Sequence, residues 1–277
     1  MNNIKVFADG IECPLSVSVF PSGGELNVML GSPLPKDPFQ VVVKATIKSS
    51  DDLFAIALVN DAIRRGMDTA EVILLVMWVP YARQDRVCNK GEALSSLVVA
   101  NYINHLEFDR VEIADPHSDV LPALINNCKI FSQSDIICNS MLADKISSAE
   151  YVLVSPDAGA NKKTLETAKR LSAKRIIKAD KVRDTLTGRI TSTQVYANEY
   201  ELLGANCLIV DDICDGGYTF TELAKVLRAK GANTVNLYVT HGLFTKGLDD
   251  LKKLFDNIYT TNSVYLGDDV HIINIEY

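Results

Sequence analysis

The chain has 277 residues, of which 47% are hydrophobic, and this provides enough apolar side chains for the cores of one or two globular domains. Its formal net charge is -7. Such an acidic chain lacks the basic face that general binding to nucleic acid or to an anionic membrane requires. No apolar run approaches the length of a membrane span, and the first residues have no basic-then-apolar leader. We therefore expect a cytoplasmic protein that binds neither nucleic acid nor a membrane.

Apolar strand-like runs alternate with helical patterns along most of the chain, in the order typical of βαβ units around parallel sheets. The predicted elements of the first half are strand 41–47, helix 53–65, strand 72–79, helix 94–105 and strand 110–114. Those of the second half are strand 151–154, helix 162–171, strands 175–178 and 207–210, helix 219–230 and strand 234–239. A polar connector, 130–150, separates the halves. The pattern predicts an α/β protein with two domains, 1–140 and 141–277.

A loop with two arginines follows the predicted strand 72–79. Its residues Arg83, Gln84, Asp85 and Arg86 should project from the carboxyl end of that strand. Guanidinium groups match phosphate oxygens with two parallel hydrogen bonds, so this loop is a candidate grip for a nucleotide triphosphate. A solvated surface loop is the alternative.

The segment 207–231 joins a buried strand to an amphipathic helix through a turn that contains acids and glycines. Asp211 and Asp212 follow the apolar run 207–210, and in open α/β sheets ligands bind at this end of the strands. Gly216 and Gly217 allow close approach to a ligand, and the backbone N–H groups at the helix start suit a phosphate. Carboxylates accept hydrogen bonds from vicinal hydroxyls, so acids beside a phosphate cradle indicate a ribose phosphate. A plain structural turn is the alternative.

Together these segments resemble the ribose-phosphate diphosphokinases, in particular the archaeal-type branch of that family. The segment 80–86 reads PYARQDR, a signature of the family, and 91–95 is similar to its GEPIS continuation. The other matches come in the family's order, and they are FPSGGE at 20–25, DPH at 115–117, SPDAG at 155–159, KVR at 181–183, the loop 211–219, THGLF at 240–244 and TN at 261–262.

The resemblance implies two type I phosphoribosyltransferase-like domains, each with a mainly parallel sheet flanked by helices. It also implies transfer of the β,γ-diphosphate of ATP to the anomeric hydroxyl of a ribose 5-phosphate group, with release of AMP. The N-terminal domain would serve nucleotide binding and oligomerisation, and the C-terminal domain would bind the ribose phosphate. The family shares its nucleotide site between subunits, so we expect a homo-oligomer, either a dimer or a hexamer built from dimers.

The resemblance also assigns roles to individual residues. Lys181 and Arg183 would be catalytic, and His117 and Asp157 would contact Mg²⁺. ATP would be bound by Phe20, Glu25, Arg83, Gln84, Asp85, Arg86 and His117. The ribose phosphate would be bound by Asp157, Asp211, Asp212, Asp215, Gly216, Gly217, Tyr218 and Thr219.

Three of these assignments have structural alternatives. His117 could be a satisfied structural imidazole, and Asp157 could cap the helix that begins near Lys162. The basic run 174–189 contains Lys181 and Arg183, and such a run is usually a solvated face, although a mobile lid over a polyphosphate needs the same charges.

The phosphate loop departs from the family pattern. Gly216 stands where the family has a threonine, so a hydroxyl donor is lost, and Tyr218 replaces a glycine. The loop 20–25 is one residue longer than the family's and lacks its aspartate. Tyr218 could flank a group attached beyond the phosphate, so the acceptor is either ribose 5-phosphate or a substituted ribose such as ADP-ribose, which would link the product to NAD synthesis. Neutral drift is the alternative explanation.

Two other functions would keep part of this pattern. A catalytically silent regulatory subunit has no need for Lys181 and Arg183. A phosphoribosyltransferase that consumes the diphosphate would keep the loop 211–219 but has no use for PYARQDR. Both therefore account for fewer motifs than the diphosphokinase does.

Overall fold

The computed structural model describes residues 3–31, 34–68, 71–183 and 190–275. The chain folds into two compact units, with the division after Phe131. The predicted boundary at 140/141 falls inside the second unit, between two short helices of the predicted connector, and the first of these packs against helix 161–170.

The first unit is built on a six-stranded sheet with a separate two-stranded hairpin. Its elements are β1 (Ile4–Ala8), β2 (Ile11–Cys13), β3 (Leu15–Val19), β4 (Leu26–Leu30), β5 (Gln40–Thr46), α1 (Ser50–Gly66), β6 (Glu71–Trp78), α2 (Ser95–His105), β7 (Arg110–Ala114), α3 (Val120–Leu124) and β8 (Cys128–Phe131). The sheet order is β2-β1-β5-β6-β7-β8, and β5 to β8 are parallel. β3 and β4 form the hairpin.

Helix α1 shows how local sequence sets an element boundary in this unit. The Ser49 hydroxyl accepts a hydrogen bond from the Asp52 N–H at 3.2 Å, and the Asp52 carboxylate accepts one from the Ser49 N–H at 2.9 Å. This reciprocal pair satisfies N–H groups that have no partner within the helix. The buried face of the helix, including Ile56, Val59 and Ile63, packs into the core against the apolar strands β5 and β6.

The second unit is built on a seven-stranded sheet. Its elements are α4 (Gln133–Cys138), α5 (Leu142–Ser147), β9 (Val152–Ser155), α6 (Asn161–Arg170), β10 (Ile176–Arg183), β11 (Ile190–Tyr196), α7 (Glu199–Leu202), β12 (Asn206–Cys214), α8 (Tyr218–Ala229), β13 (Thr234–Gly242), α9 (Asp249–Lys252), β14 (Asn257–Thr261) and β15 (His271–Ile273). The order is β11-β10-β9-β12-β13-β14-β15, and every neighbouring pair except β10–β11 is parallel. Helix α8 buries Leu223, Ala224 and Leu227 in the core of this unit.

The prediction of an α/β fold with mainly parallel sheets is confirmed. Three strands, β10, β12 and β13, extend further at their carboxyl ends than predicted, which changes the setting of the site residues. β12 continues to Cys214, because its neighbour β13 pairs with it as far as Gly242. β10 continues to Arg183, because β11 pairs with it along its outer edge. None of the helices in the described part of the chain is long and apolar enough to cross a membrane.

Candidate active site

The connectivity of the second sheet creates a crevice between β9 and β12. From β9 the chain runs through α6 to β10 on one side, and from β12 it runs through α8 to β13 on the other side. The two connections therefore leave in opposite directions above neighbouring strands. In open α/β sheets, ligands bind at this kind of switch point, beyond the carboxyl ends of the strands.

Three carboxylates and one lysine lie at this switch point. Asp211 and Asp212 occupy the last part of β12, whereas the sequence predicted that they follow the strand. The Asp212 N–H donates to Asp211 Oδ1 at 2.9 Å, and the Lys163 ammonium lies 3.5 Å from Asp212 Oδ2. Asp157 follows β9, and its Oδ1 accepts from the Ala160 N–H at 3.1 Å, at the turn that leads into α6. Its carboxylate thus orders the turn before α6, whereas the N-cap residue Ala160 provides no side-chain cap.

The environment of Asp211 disfavours its charged form. Burial raises the pKa of this carboxyl well above its usual value, and the neighbouring charges of Asp212 and then Asp157 raise it further. The pair gains one compensating cation from α6, the Lys163 ammonium beside Asp212. Carboxyl groups are thus concentrated among the described side chains of the crevice, and they suit hydroxyl donors or a cation.

The raised pKa of Asp211 predicts a pH-dependent stability difference. Because the folded state holds the Asp211 proton more tightly than the unfolded state does, the free energy of unfolding falls as pH rises from the ordinary aspartate range to the raised pKa. The substitution Asp211→Asn removes the ionisable group and with it this loss of stability at higher pH. The amide oxygen of the new side chain can still accept a hydrogen bond from the Asp212 N–H. We expect the variant to melt a few degrees higher than the parent at pH 7, with the difference shrinking towards pH 4. Differential scanning fluorimetry across this range measures it.

Asp250→Asn is the matched control. Asp250 is exposed, and the Lys253 ammonium at 2.8 Å lowers the pKa of its carboxyl, so its loss should not stabilise the protein at neutral pH. A parent protein that melts no lower than Asp211→Asn at pH 7 would contradict the proposed repulsion.

The predicted phosphate loop connects β12 to α8. Gly217 precedes the helix with φ at +77°, a left-handed conformation that favours glycine, and an added Cβ would lie 3.2 Å from Leu251. Tyr218 and Thr219 begin the helix, and the Tyr218 side chain is 59% exposed. The first N–H groups of α8 therefore face the loop, as the sequence predicts for a phosphate site.

A second loop, 243–247, is bonded alongside the phosphate loop. The N–H groups of Leu243 and Phe244 donate to the Cys214 carbonyl at 2.9 and 3.1 Å. Thr245 then holds Asp215 twice, through its N–H to the carbonyl at 3.1 Å and through its hydroxyl to the carboxylate Oδ1 at 2.7 Å. The two loops thus form one bonded unit, and Asp215 has a structural role in it.

A buried polar network joins the end of β13, which carries the predicted THG motif, to the end of β14, which carries the predicted TN motif. The Thr240 carbonyl accepts from the hydroxyls of Thr261 and Ser263 at 2.7 and 3.1 Å, and His241 Nδ1 lies 2.8 Å from the Ser263 hydroxyl. These groups are at most 2% exposed. Their hydrogen bonds fix the strand end from which the loop 243–247 departs.

Lys181 and Arg183 belong to a strand and not to an isolated loop. β10 is parallel to β9, and the pairing between them ends where Lys178 lies opposite Ser155. The rest of β10 therefore extends beyond the end of β9. The backbone at 181–183 therefore lies at the carboxyl edge of the sheet, paired with β11. The side chains of Lys181 and Arg183 lie outside the part of the chain that the structure describes.

In the first unit, two loops with predicted ATP contacts follow neighbouring parallel strands. Arg83, Gln84, Asp85 and Arg86 follow β6, and His117 follows β7. The loop after β6 is tied to α2, because the Gln84 side chain accepts from the Ser95 hydroxyl and its carbonyl accepts from the Ser96 N–H. The two arginines and His117 are exposed at this edge of the sheet.

Further hydrogen bonds order the end of the loop after β6. The N–H groups of Asn89 and Cys88 both donate to the Glu92 carboxylate at 2.9 Å, and they lower the pKa of Glu92. The loop is thus held at both ends, as a binding loop requires.

Phe20 and Glu25 lie in the hairpin and not in a loop of the six-stranded sheet. They close the turn between β3 and β4, where the Phe20 N–H donates to the Glu25 carbonyl at 2.8 Å. The Phe20 side chain is 51% exposed. Their predicted contact with ATP stays a prediction.

Sequence reasoning missed two lysines beside the second-unit site. Lys163 lies in the first turn of α6, and Lys246 lies in the loop 243–247. The signal for Lys163 was its position soon after the SPDAG motif, at a helix start. Lys246 stands in the segment after THGLF, where no side chain had been considered.

Comparisons with known proteins agree with this geometry. The model of the phosphoribosyl transferase domain family matches residues 129–268, which is half of the chain. The chain belongs to this family. The match includes β9, β12 and α8, the elements that form the switch point and the phosphate loop of this phosphoribosyl transferase domain.

Curated relatives match the chain beyond this domain. The ribose-phosphate pyrophosphokinase of Shewanella oneidensis is 27% identical over 275 residues, which cover 96% of this chain and 84% of the relative. The enzyme of the same name from Bradyrhizobium diazoefficiens is 26% identical, covering 98% and 87%. That from Vibrio parahaemolyticus is 27% identical, covering 92% and 80%. The predicted resemblance to ribose-phosphate diphosphokinases, and with it an enzyme of this type, is confirmed.

A solved structure shares the fold. The phosphoribosylpyrophosphate synthetase from Mycobacterium smegmatis aligns with a TM-score of 0.79 and 21% identity, covering 96% of this chain and 88% of that one. The predicted fold class, two phosphoribosyltransferase-like α/β domains, is confirmed.

Proposed function

We propose that the protein transfers the β,γ-diphosphoryl group of ATP to the anomeric hydroxyl of ribose 5-phosphate, forming phosphoribosyl diphosphate and AMP. The anomeric oxygen bonds to the β-phosphorus, and the bond from that phosphorus to the oxygen shared with the α-phosphate breaks. AMP leaves with this oxygen, and the hydroxyl proton is released. The curated relatives carry the name of this reaction.

The observation that carries the proposal is the acidic crevice beside a helix N-terminus at the switch point of the second sheet. Asp211 and Asp212 offer carboxylate oxygens to the ribose hydroxyls, and the first N–H groups of α8 face the 5-phosphate. The carboxylates thus accept hydrogen bonds from the hydroxyls at one end of the sugar phosphate, and the N–H groups donate to the phosphate at its other end. This orients the anomeric oxygen for in-line attack.

Residues of the first unit supply the proposed nucleotide contacts. Arg83 and Arg86 would bind the triphosphate, together with Gln84, Asp85 and His117. Phe20 and Glu25 would contact the nucleoside. The exposure of the arginines and His117 beside neighbouring strand ends supports this role.

Lys181 and Arg183 are proposed to neutralise charge on the diphosphoryl group as it moves. Phosphoryl transfer depends on alignment and on charge neutralisation more than on covalent chemistry by the protein. Their backbone position at the carboxyl edge, on the strand next to β9, supports this assignment.

The acidic set of the second unit fits Mg²⁺ that arrives with the nucleotide. Hard carboxylate oxygens suit this ion, and the charge repulsion on Asp211 is what a cation would relieve. Within the described residues, no three histidine, cysteine or acidic side chains form a metal site by themselves. Mg²⁺ usually keeps phosphate and water ligands, so Asp157 need supply only part of its shell. His117, in the first unit, is proposed separately as a contact for Mg²⁺ that accompanies the triphosphate. When bound, the ion neutralises phosphate charge.

We also propose that the protein acts as a homo-oligomer. The hairpin that carries Phe20 and Glu25 exposes Phe20, Val19 and Met29 by 51%, 54% and 61%. Val19 and Met29 lie on opposite faces of the hairpin, and exposed apolar side chains on it suit a subunit contact.

Product analysis of the full-length protein tests the reaction. Purified protein is incubated with ATP, Mg²⁺ and either ribose 5-phosphate or ADP-ribose, and products are resolved by mass spectrometry. We expect equal amounts of AMP and phosphoribosyl diphosphate from ribose 5-phosphate, and no product when Mg²⁺ is chelated. Omission of the acceptor controls for ATP hydrolysis.

Other outcomes select the alternatives. Formation of ADP in place of AMP contradicts diphosphoryl transfer. Product from ADP-ribose alone assigns the extended acceptor, whose extra group would lie near the exposed Tyr218. Binding of ATP without turnover of either acceptor favours a regulatory subunit.

A further inference from the structure

A lysine from the neighbouring loop lies directly against the phosphate loop. A Cβ added to Gly216 would lie 3.4 Å from both Cδ and Cε of Lys246. This is ordinary van der Waals contact, so the alkyl stem of Lys246 passes over Gly216. The φ of Gly216 is outside the left-handed region, and its conformation does not require glycine. A Cβ would be tolerated here, so the contact depends on the path of the Lys246 stem and not on the absence of a side chain at Gly216.

The backbone around Lys246 is fixed relative to the phosphate loop. Thr245, its neighbour, is bonded to the Asp215 carbonyl and carboxylate, and Gly247 turns the chain with φ at +77° and donates its N–H to the Phe244 carbonyl. The backbone of Lys246 therefore has a defined position relative to the phosphate loop. Less conformational entropy is lost when such a side chain binds a ligand.

The charge of Lys246 has no carboxylate partner among the described residues of the second unit. Nearby lysines are paired with carboxylates: Lys225 with Glu222, Lys252 with Asp269 and Lys253 with Asp250, at 2.7 to 2.8 Å. Lys246 forms no ion pair with any residue in the described part of the chain. Lys246 is exposed and its stem lies against Gly216, two residues before the start of α8, so its positive charge and the first N–H groups of the helix both favour an anion in this region.

We propose that Lys246 binds the 5-phosphate of the acceptor through its ammonium, next to the N–H groups of α8. The inference rests on the proposed function, which assigns this loop to the acceptor. It adds a specificity-determining residue: Lys246 selects ribose carrying a phosphate at position 5, terminal or esterified. The contact comes from the loop 243–247, whose lysine stem lies against Gly216.

Acceptor binding without turnover tests the proposal. Calorimetry on the full-length protein, with Mg²⁺ and α,β-methylene-ATP, gives the dissociation constants of ribose 5-phosphate and, separately, ADP-ribose. Lys246→Met keeps an apolar stem over Gly216 and removes the charge, so we expect binding to weaken by about tenfold, the typical effect of a charged hydrogen bond. Lys246→Arg should retain most of the affinity. Lys253→Met, which removes a paired and exposed lysine, should leave it unchanged.

Each result decides the role of Lys246. Weakening with ribose 5-phosphate supports contact with a terminal phosphate, and weakening with ADP-ribose alone supports contact with an esterified one. Unchanged constants in a Lys246→Met variant of normal melting temperature overturn the proposal. An equal loss of affinity for α,β-methylene-ATP also overturns the proposal. So does a parent protein that binds neither ribose 5-phosphate nor ADP-ribose. Because the analogue is not cleaved, a parent that binds ribose 5-phosphate yet forms no product with ATP contradicts only the proposed reaction.

Discussion

Replacement of Lys181 or Arg183 by alanine is expected to lower kcat by roughly 10²–10³-fold, the usual cost of losing one contact that stabilises charge in a transition state. Nucleotide binding should change far less, because these charges matter most as the diphosphoryl group moves between oxygens. β10 carries both positions past the end of β9 to the carboxyl edge of the sheet. Steady-state kinetics with saturating ATP and acceptor, together with an ATP-analogue binding constant, separate the two effects.

Lys174→Ala is the matched control for this pair. Lys174 belongs to the same basic run but precedes β10, at the opposite end of the strand, and it is exposed. Its replacement should leave kcat near the parent value. Equal turnover in Lys181→Ala, Arg183→Ala and the parent would remove both residues from the catalytic assignment.

Replacement of Asp211 or Asp212 by asparagine is expected to lower kcat/KM for the acceptor by roughly 10²-fold or more, because a small misplacement of the anomeric oxygen disrupts in-line attack. The fold should survive, since both side chains lie in the last part of β12, beyond the residues that pair with β9. Asp212→Asn also weakens the contact with Lys163. Initial rates over a range of acceptor concentrations measure the effect.

Folding and activity must be followed together in these variants. Asp211→Asn should be inactive and yet more stable at neutral pH, a combination that a purely structural aspartate would not give. Asp250→Asn, at an exposed position in α9, should keep full acceptor kinetics. Unchanged acceptor kinetics in a folded Asp212→Asn protein would show that this carboxylate only supports the strand.

The sequence predicted best those elements that are buried and long. β7 was predicted with its observed bounds, and β6 and α8 were each predicted within one residue at either end, because their apolar periods are strong. The strands β2 to β4 were missed, since much of their surface is exposed and short strands carry a weak alternating pattern. β1 was also missed, although three of its five residues are buried and it pairs with both β2 and β5. The extensions of β10 and β12 were also missed, because they depend on pairing with strands distant in sequence.

Motifs identified much of the candidate site, but not its supporting contacts. Asp157 and Asp211 were singled out from motifs on separate strands, and the sheet order brings those strands side by side. Lys163 and Lys246 were not singled out, because each matters through a contact with a residue far away in sequence. Lys163 contacts Asp212, 49 positions away, and Lys246 contacts Gly216, 30 positions away. Such contacts follow from tertiary structure, and local sequence does not report them.

The bonded pair of loops after β12 and β13 has a consequence for chimeric proteins. The carbonyls of Cys214 and Asp215 accept from Leu243, Phe244 and Thr245, so the shape of either loop depends on the other. A graft of the phosphate loop alone from a relative would meet a foreign partner and lose its support. Acceptor preference should therefore move between family members as a two-part cassette, 214–218 with 243–247, inherited or exchanged as a single piece.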